Sequence, residues 1–224
     1  MSSPSNHNFK YRALLFDWDG TIVDTLKVWW DLMSETFERA GVNLTNEQQR
    51  FGLPRWERLF DTMDITPEQQ KQIIGYGTKT SADRIKTGEL YPGVAKVLET
   101  IHNSDVKTGL ITLSPKATLG NLLEQHGLIG AFDAVIAFED VEDHKPHPAP
   151  LLKAMEELGV DPEETVMVGD GTTDLIAADR AGVDALLYAA PANADFYDQA
   201  ELKSLPKLAI FEHWDEFLDL VTNK

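Results

Sequence analysis

Ala13-Leu14-Leu15-Phe16-Asp17-Trp18-Asp19-Gly20-Thr21 is the stretch on which the fold turns. Four apolar residues in an unbroken run, with charge on both sides, are the pattern of a short strand buried on both faces. The run stops abruptly at two aspartates and a glycine. Four later runs look alike: Gly109-Leu110-Ile111, Ala134-Val135-Ile136-Ala137, Val166-Met167-Val168 and Ala185-Leu186-Leu187-Tyr188. Helical patterns separate them. Ser114-Pro115 reads as an N-cap with a first-turn proline, for a helix that Gly127 ends. Asp161-Pro162 reads as a similar start, and Thr172 to Ala181 as a small-residue helix closed by Gly182. Strands alternating with helices of this size predict βαβ units and a parallel sheet.

Between Asp24 and Tyr91 the alternation stops. Trp29, Trp30, Leu32, Met33 and Phe37 recur at helical spacing, and Thr45-Asn46-Glu47-Gln48 and Thr66-Pro67-Glu68-Gln69 read as helix starts with a capping box. No strand-like run interrupts them, so an all-helical insertion is expected directly after the first strand. The expected fold class is α/β: a Rossmann-like three-layer core with a parallel sheet, residues 10–24 and 91–224, and an inserted helical domain, residues 25–90.

Composition narrows the function. The chain has 224 residues, 42% hydrophobic and 25% charged, enough to bury a sizeable core. Its net charge of −17, with no basic cluster, sets it against nucleic acid and anionic membrane as partners. The absence of cysteine excludes disulfides, thiolate zinc sites, a Cys nucleophile and iron–sulfur clusters. Met1 to Asn8 does not read as a secretory signal, and no apolar stretch approaches the ~18 residues of a membrane helix. A cytoplasmic protein, monomer or homodimer, is expected.

In parallel α/β sheets, ligands sit beyond the carboxyl ends of the strands. Asp17 and Asp19 follow the first strand, Thr112 the second, Lys145 the third, and Asp170 and Asp174 the fourth. Carboxylates converging on one crevice repel one another and are tolerable only around a cation. An oxygen-only donor set suits a hard ion such as Mg²⁺. Lys145 and Thr112 would add a positive charge and a hydroxyl, completing a clamp for a phosphoryl group.

Phe16-Asp17-Trp18-Asp19-Gly20-Thr21-Ile22-Val23-Asp24-Thr25 resembles the first motif of the haloacid dehalogenase-like superfamily. It is most similar to the branch with a helical cap after that motif, which includes phosphoglycolate phosphatase and β-phosphoglucomutase. Thr112 stands at the second motif and Lys145-Pro146 at the third. Val168-Gly169-Asp170-Gly171-Thr172-Thr173-Asp174, followed by Ala177-Ala178 and Ala181-Gly182, stands at the fourth. The likeness runs from about Arg12 to Tyr188 in the family's order and spacing.

The resemblance implies a phosphatase acting on a small phosphorylated metabolite. Asp17 would be the nucleophile that becomes an aspartyl phosphate. Asp19 would protonate the leaving alkoxide and later activate water. Mg²⁺ would be held by Asp17, the Asp19 carbonyl, Asp170 and Asp174, while Thr112, Lys145 and the Trp18 N–H bind phosphoryl oxygens. An aspartate at position 19 favours phosphate-ester chemistry over dehalogenation or phosphonate cleavage. Gly169-Asp170, where the mutases carry Glu-Asp, favours a phosphatase over a phosphomutase. Ala149 stands where many relatives have an acidic residue. Gly52-Leu53-Pro54-Arg55 resembles the branch's specificity loop, and Arg55 would meet a second anionic group.

Other readings stand beside these. A phosphomutase is the enzymatic alternative, and a receiver-like phosphate-responsive protein the non-catalytic one. Trp29, Trp30 and Trp56 read as core of the insertion, the Trp18 indole as lying near its entrance, and His144 and His147 as loop residues.

Overall fold

The computed structural model describes residues 8–223. The Met1–Asn8 stretch, apart from Asn8, lies outside them. All five apolar runs are strands: β1 (Ala13–Phe16), β4 (Lys107–Ile111), β5 (Ala134–Ile136), β6 (Thr165–Gly169) and β7 (Asp184–Tyr188). With β8 (Ala209–Phe211) they form one six-stranded sheet in the order β5-β4-β1-β6-β7-β8, every neighbouring pair parallel. β1 lies inside, with Phe16 opposite Leu110 on one side and Val168 on the other.

The period-two alternation of β1 divides the core into layers. Leu14 and Phe16 point into a cluster with Val94, Leu98 and Ile101 of α4 (Val94–His102), Leu119 and Leu122 of α5 (Lys116–Gln125), and Phe217 of α9 (Phe217–Val221). Leu15 points the other way, to Leu151 and Met155 of α6 (Ala149–Leu158) and Leu175 and Ala178 of α7 (Thr172–Ala181). All three β1 side chains are fully buried, each contributing about 1.5–3 kcal/mol of apolar transfer energy. The result is the expected three-layer α/β core, with β1 delivering Asp17 at its carboxyl end.

Residues 25–90 form α1 (Leu26–Arg39), α2 (Asn46–Gly52), a 3₁₀ turn at Trp56–Leu59 and α3 (Pro67–Arg84), packed on Met33, Phe37, Leu59 and Ile73. Thr45 and Thr66 close their capping boxes with Gln48 and Gln69. One strand does occur there: β3 (Glu89–Leu90) pairs antiparallel with β2 (Val23–Asp24). Two residues are too short for a periodic signal, and pairing across the base of the insertion makes them a strand. The segment after β7 is a 3₁₀ stretch, Pro191–Phe196, leading to α8 (Gln199–Ser204). Among the described residues no helix is long and apolar enough to cross a membrane.

Two helix starts differ from expectation. Asp161-Pro162 opens a three-residue 3₁₀ turn, Pro162–Glu164, rather than a helix. α5 begins at Lys116 with Pro115 at its cap, so Ser114 is not the capping residue. Its hydroxyl is used in the site described next.

Candidate active site

The main chain after β1 continues the sheet for one bond, the Asp17 N–H donating to Val168 O at 2.9 Å, and then turns sharply. Ile22 and Val23 N–H both return to Trp18 O, at 2.9 and 3.0 Å, and Gly20 donates to Val23 O at 2.8 Å. Gly20 takes φ +82°, and a Cβ there would lie 2.1 Å from Asp170 Oδ2. Glycine is required twice over, by the left-handed backbone and by the carboxylate. The Asp17 and Asp19 side chains open into one cavity of ≈ 220 Å³, which Lys145, Asp170 and Asp174 also line. Trp18, between them, faces the opposite way.

Lys145 arrives from the loop before α6 and is almost fully buried. Its Nζ donates to Asp17 Oδ1 at 2.6 Å, Asp174 Oδ1 at 2.7 Å and Ile111 O at 3.0 Å. Burial alone would push this lysine down, but Asp17 and Asp174 outweigh it and hold the ammonium above its usual range. Burial drives Asp17 up to about 7; Lys145 opposes that, while the charges of Asp174 and Asp19 add to it. Asp170 is raised well above the carboxylate range by burial and then by the charges of Asp17 and Asp174.

Carboxylate oxygens of Asp17, Asp170 and Asp174 lie within 4.8 Å of one another. Three buried carboxyl groups share one ammonium. This oxygen donor set fits a hard divalent cation. Asp170 is held by its neighbours: Thr21 Oγ1 donates to Oδ1 at 3.0 Å, and Tyr197 Oη and Asn193 Nδ2 donate to Oδ2 at 2.7 and 3.3 Å.

Asp19 has different partners. Thr25 Oγ1 (2.6 Å) and Trp29 Nε1 (2.8 Å) donate to its Oδ1, and Ser114 Oγ (3.1 Å) donates to its Oδ2. Burial raises its pKa and these three donors pull it back. Its carboxylate is not part of the acidic trio.

The structure therefore gathers Asp17, Asp19, Arg55, Lys145, Asp170 and Asp174 around one cavity. Arg55 stands exposed at the rim, with no ion pair of its own among the described residues. Thr112 and Trp18 do not line it. Thr112 is buried, and its hydroxyl oxygen accepts the Ser114 N–H at 3.0 Å. The Trp18 indole is fully buried in the core, 6.3 Å from the His126 ring, not at an entrance, because strand alternation turns it away from Asp17. His144 stacks on Phe138 at 4.2 Å beside the mouth.

Sequence reasoning missed Ser114, Thr21, Tyr197 and Asn193, and gave Trp29 only a packing role. Trp30 and Trp56 do pack in the insertion's cluster, but Trp29 also reaches Asp19. The i to i+4 spacing of Thr25 and Trp29 was the available signal, since it puts both on one helical face.

Residues 14–188 match the pattern of the haloacid dehalogenase-like hydrolases. Pyrophosphatase PpaX of Halalkalibacterium halodurans is 32% identical over 206 residues, covering 88% of this chain and 94% of that protein. Phosphoglycolate phosphatase of Rhodospirillum rubrum is 27% identical over 227 residues, covering 93% and 89%. The crystal structure of a HAD-superfamily hydrolase from Geobacter sulfurreducens superposes with TM-score 0.69 at 25% identity, covering 97% and 99%. The chain thus belongs to the haloacid dehalogenase-like hydrolase family, and it is a hydrolase of the phosphatase type.

Proposed function

We propose that the enzyme hydrolyses a small phosphomonoester, with Mg²⁺, through a phosphorylated Asp17. The observation that carries this reading is the unlike fixing of two aspartates in one cavity. Asp17 contacts Lys145 within the acidic trio, whereas Asp19 is held by three neutral donors. One is built as a nucleophile and the other as a proton carrier.

In the first step an Asp17 oxygen attacks phosphorus and the bond to the leaving oxygen breaks. Asp19, whose pKa burial raises, gives that oxygen its proton. In the second step Asp19 takes a proton from water, the water oxygen attacks phosphorus, and the bond to Asp17 breaks. Lys145 offsets phosphoryl charge and keeps Asp17 oriented. Mg²⁺, held by Asp17, Asp170, Asp174 and the Asp19 carbonyl, would supply further positive charge at the phosphoryl oxygens. The family resemblance assigns the Thr112 hydroxyl and the Trp18 N–H to phosphoryl oxygens, although neither residue lines the cavity as it stands.

Arg55 at the rim is assigned to a second anionic group of the substrate, in keeping with relatives named for phosphoglycolate and pyrophosphate chemistry. Residues 10–24 and 91–224 then act as the catalytic core and residues 25–90 as its cap.

The test is phosphate release from a panel of small phosphate esters, with Mg²⁺ and with chelator, beside Asp17→Asn. Release that needs Mg²⁺ and vanishes in the variant is expected. Release that persists in Asp17→Asn would sink the mechanism.

A further inference from the structure

The acidic trio is tied to the helical insertion by a segment outside every motif of the family. After β7, residues 191–198 leave the sheet and do two things at once. Phe196 is buried in the insertion's own apolar cluster, its ring 5.4 Å from that of Trp30 on α1. Arg50 of α2 donates from Nε to Asp195 O at 2.9 Å. The adjacent Tyr197 also packs against that cluster, and its hydroxyl donates to Asp170 Oδ2 at 2.7 Å. Asn193 binds the same oxygen at 3.3 Å, and its amide bridges Gly20 O (2.8 Å) and Tyr91 Oη (2.6 Å). One short stretch of core chain therefore holds both the insertion and a carboxylate of the trio.

We propose that Tyr197 is a positioning residue for Asp170, and that the 191–198 segment makes the placement of that carboxylate depend on how the insertion is seated. The proposal rests on the metal reading above and adds a residue that reading does not use. Asp170 Oδ2 has two side-chain donors and Oδ1 only Thr21, so the hydrogen bonds dictate which lone pairs remain for a cation. Removing the Tyr197 hydroxyl leaves Oδ2 with only the longer Asn193 bond and loosens that side of the carboxylate. Phe196 cannot move without moving its neighbour Tyr197, so a shift of α1 at Trp30 reaches Asp170 through two contacts.

Outer partners of metal ligands typically change metal affinity by 10–100-fold. Tyr197→Phe keeps the ring and loses only the donor. Mn²⁺, as a spectroscopic stand-in for Mg²⁺, is titrated into substrate-free enzyme and free Mn²⁺ is read by electron paramagnetic resonance. Tyr197→Phe is expected to weaken binding by about tenfold or more, with native-like circular dichroism. Trp30→Ala, which touches neither Asp170 nor Tyr197 in the contacts above, is expected to weaken it about fivefold in the native background. Its effect should be much smaller once Tyr197 is Phe. Binding within twofold of native in Tyr197→Phe overturns the positioning role. Equal effects of Trp30→Ala in both backgrounds overturn the link to the insertion. If the native enzyme binds no Mn²⁺, the metal reading itself falls and this inference with it.

Discussion

Asp17→Asn should make the metal-free protein more stable at alkaline pH while abolishing turnover. Burial drives the Asp17 carboxyl from 3.8 up to about 7 in the folded state. A carboxyl raised on folding favours the folded state while it is protonated. That contribution is complete below the unfolded pKa and is lost as pH rises through the folded one. At pH 8, above both values, the gap corresponds to about 4 kcal/mol against folding. At pH 5 only about 2 kcal/mol of it is felt, so Asp17 alone costs about 2–3 kcal/mol between pH 5 and pH 8. Asparagine has no such titration and can still accept from Lys145. For a chain of this size that difference is on the order of 8 °C in Tm. The assay is thermal and urea unfolding in chelator across pH 5–8 for both proteins. The native stability curve should fall more steeply, since Asp170, also raised, remains in both. Saturating Mg²⁺ at pH 8 should recover the native protein by mass action. Parallel curves for native and variant would refute the claim that Asp17 is a buried, strained charge.

Three further outcomes follow from the geometry. Gly20→Ala puts a Cβ 2.1 Å from Asp170 Oδ2 and 2.9 Å from Leu26 Cγ at φ +82°. It should lose about 3 kcal/mol or more in unfolding experiments and bind Mn²⁺ at least about tenfold more weakly. Trp29→Phe removes one of the three donors that pull the Asp19 pKa down, so kcat should drop about tenfold and the alkaline limb of the pH–rate profile should move up. An unchanged profile would count against Asp19 as the proton carrier. Arg55→Ala should raise KM for a carboxylated phosphate ester about tenfold and leave methyl phosphate within about twofold; equal effects on both would remove Arg55 from substrate recognition.

What could be read in advance follows a physical rule. β1 and its aspartates were legible because a strand buried on both faces writes an unbroken apolar run, and the turn after it demands a glycine. Thr45 and Thr66 were legible because a capping box is a local bond pattern between residues three apart. Ser114 was misread for a related reason: Ser before Pro is a good local cap signal, but the hydroxyl found a charged partner in Asp19, far off in sequence. Tyr197 left no trace, because it follows a 3₁₀ stretch without periodicity and its partner is twenty-seven residues away. β8 was missed as three residues on the sheet edge, two of them not fully buried. Local bonds announce themselves, whereas bonds that form only when the tertiary fold closes do not.

The place of β1 in the sheet bears on how the chain reaches this state. β1 is made before both of its sheet neighbours, residues 107–110 and 165–168. A nascent chain emerging from the ribosome carries this fully apolar strand with at least one edge unpaired until β6 has followed. The insertion, whose helices and capping boxes close on residues near in sequence, can organise before then. Contacts this distant close slowly, and exposed apolar strands are where misassociation begins. The segment that carries Asp17 is therefore made before the strands that cover it, and the yield of folded protein depends on how quickly β6 arrives.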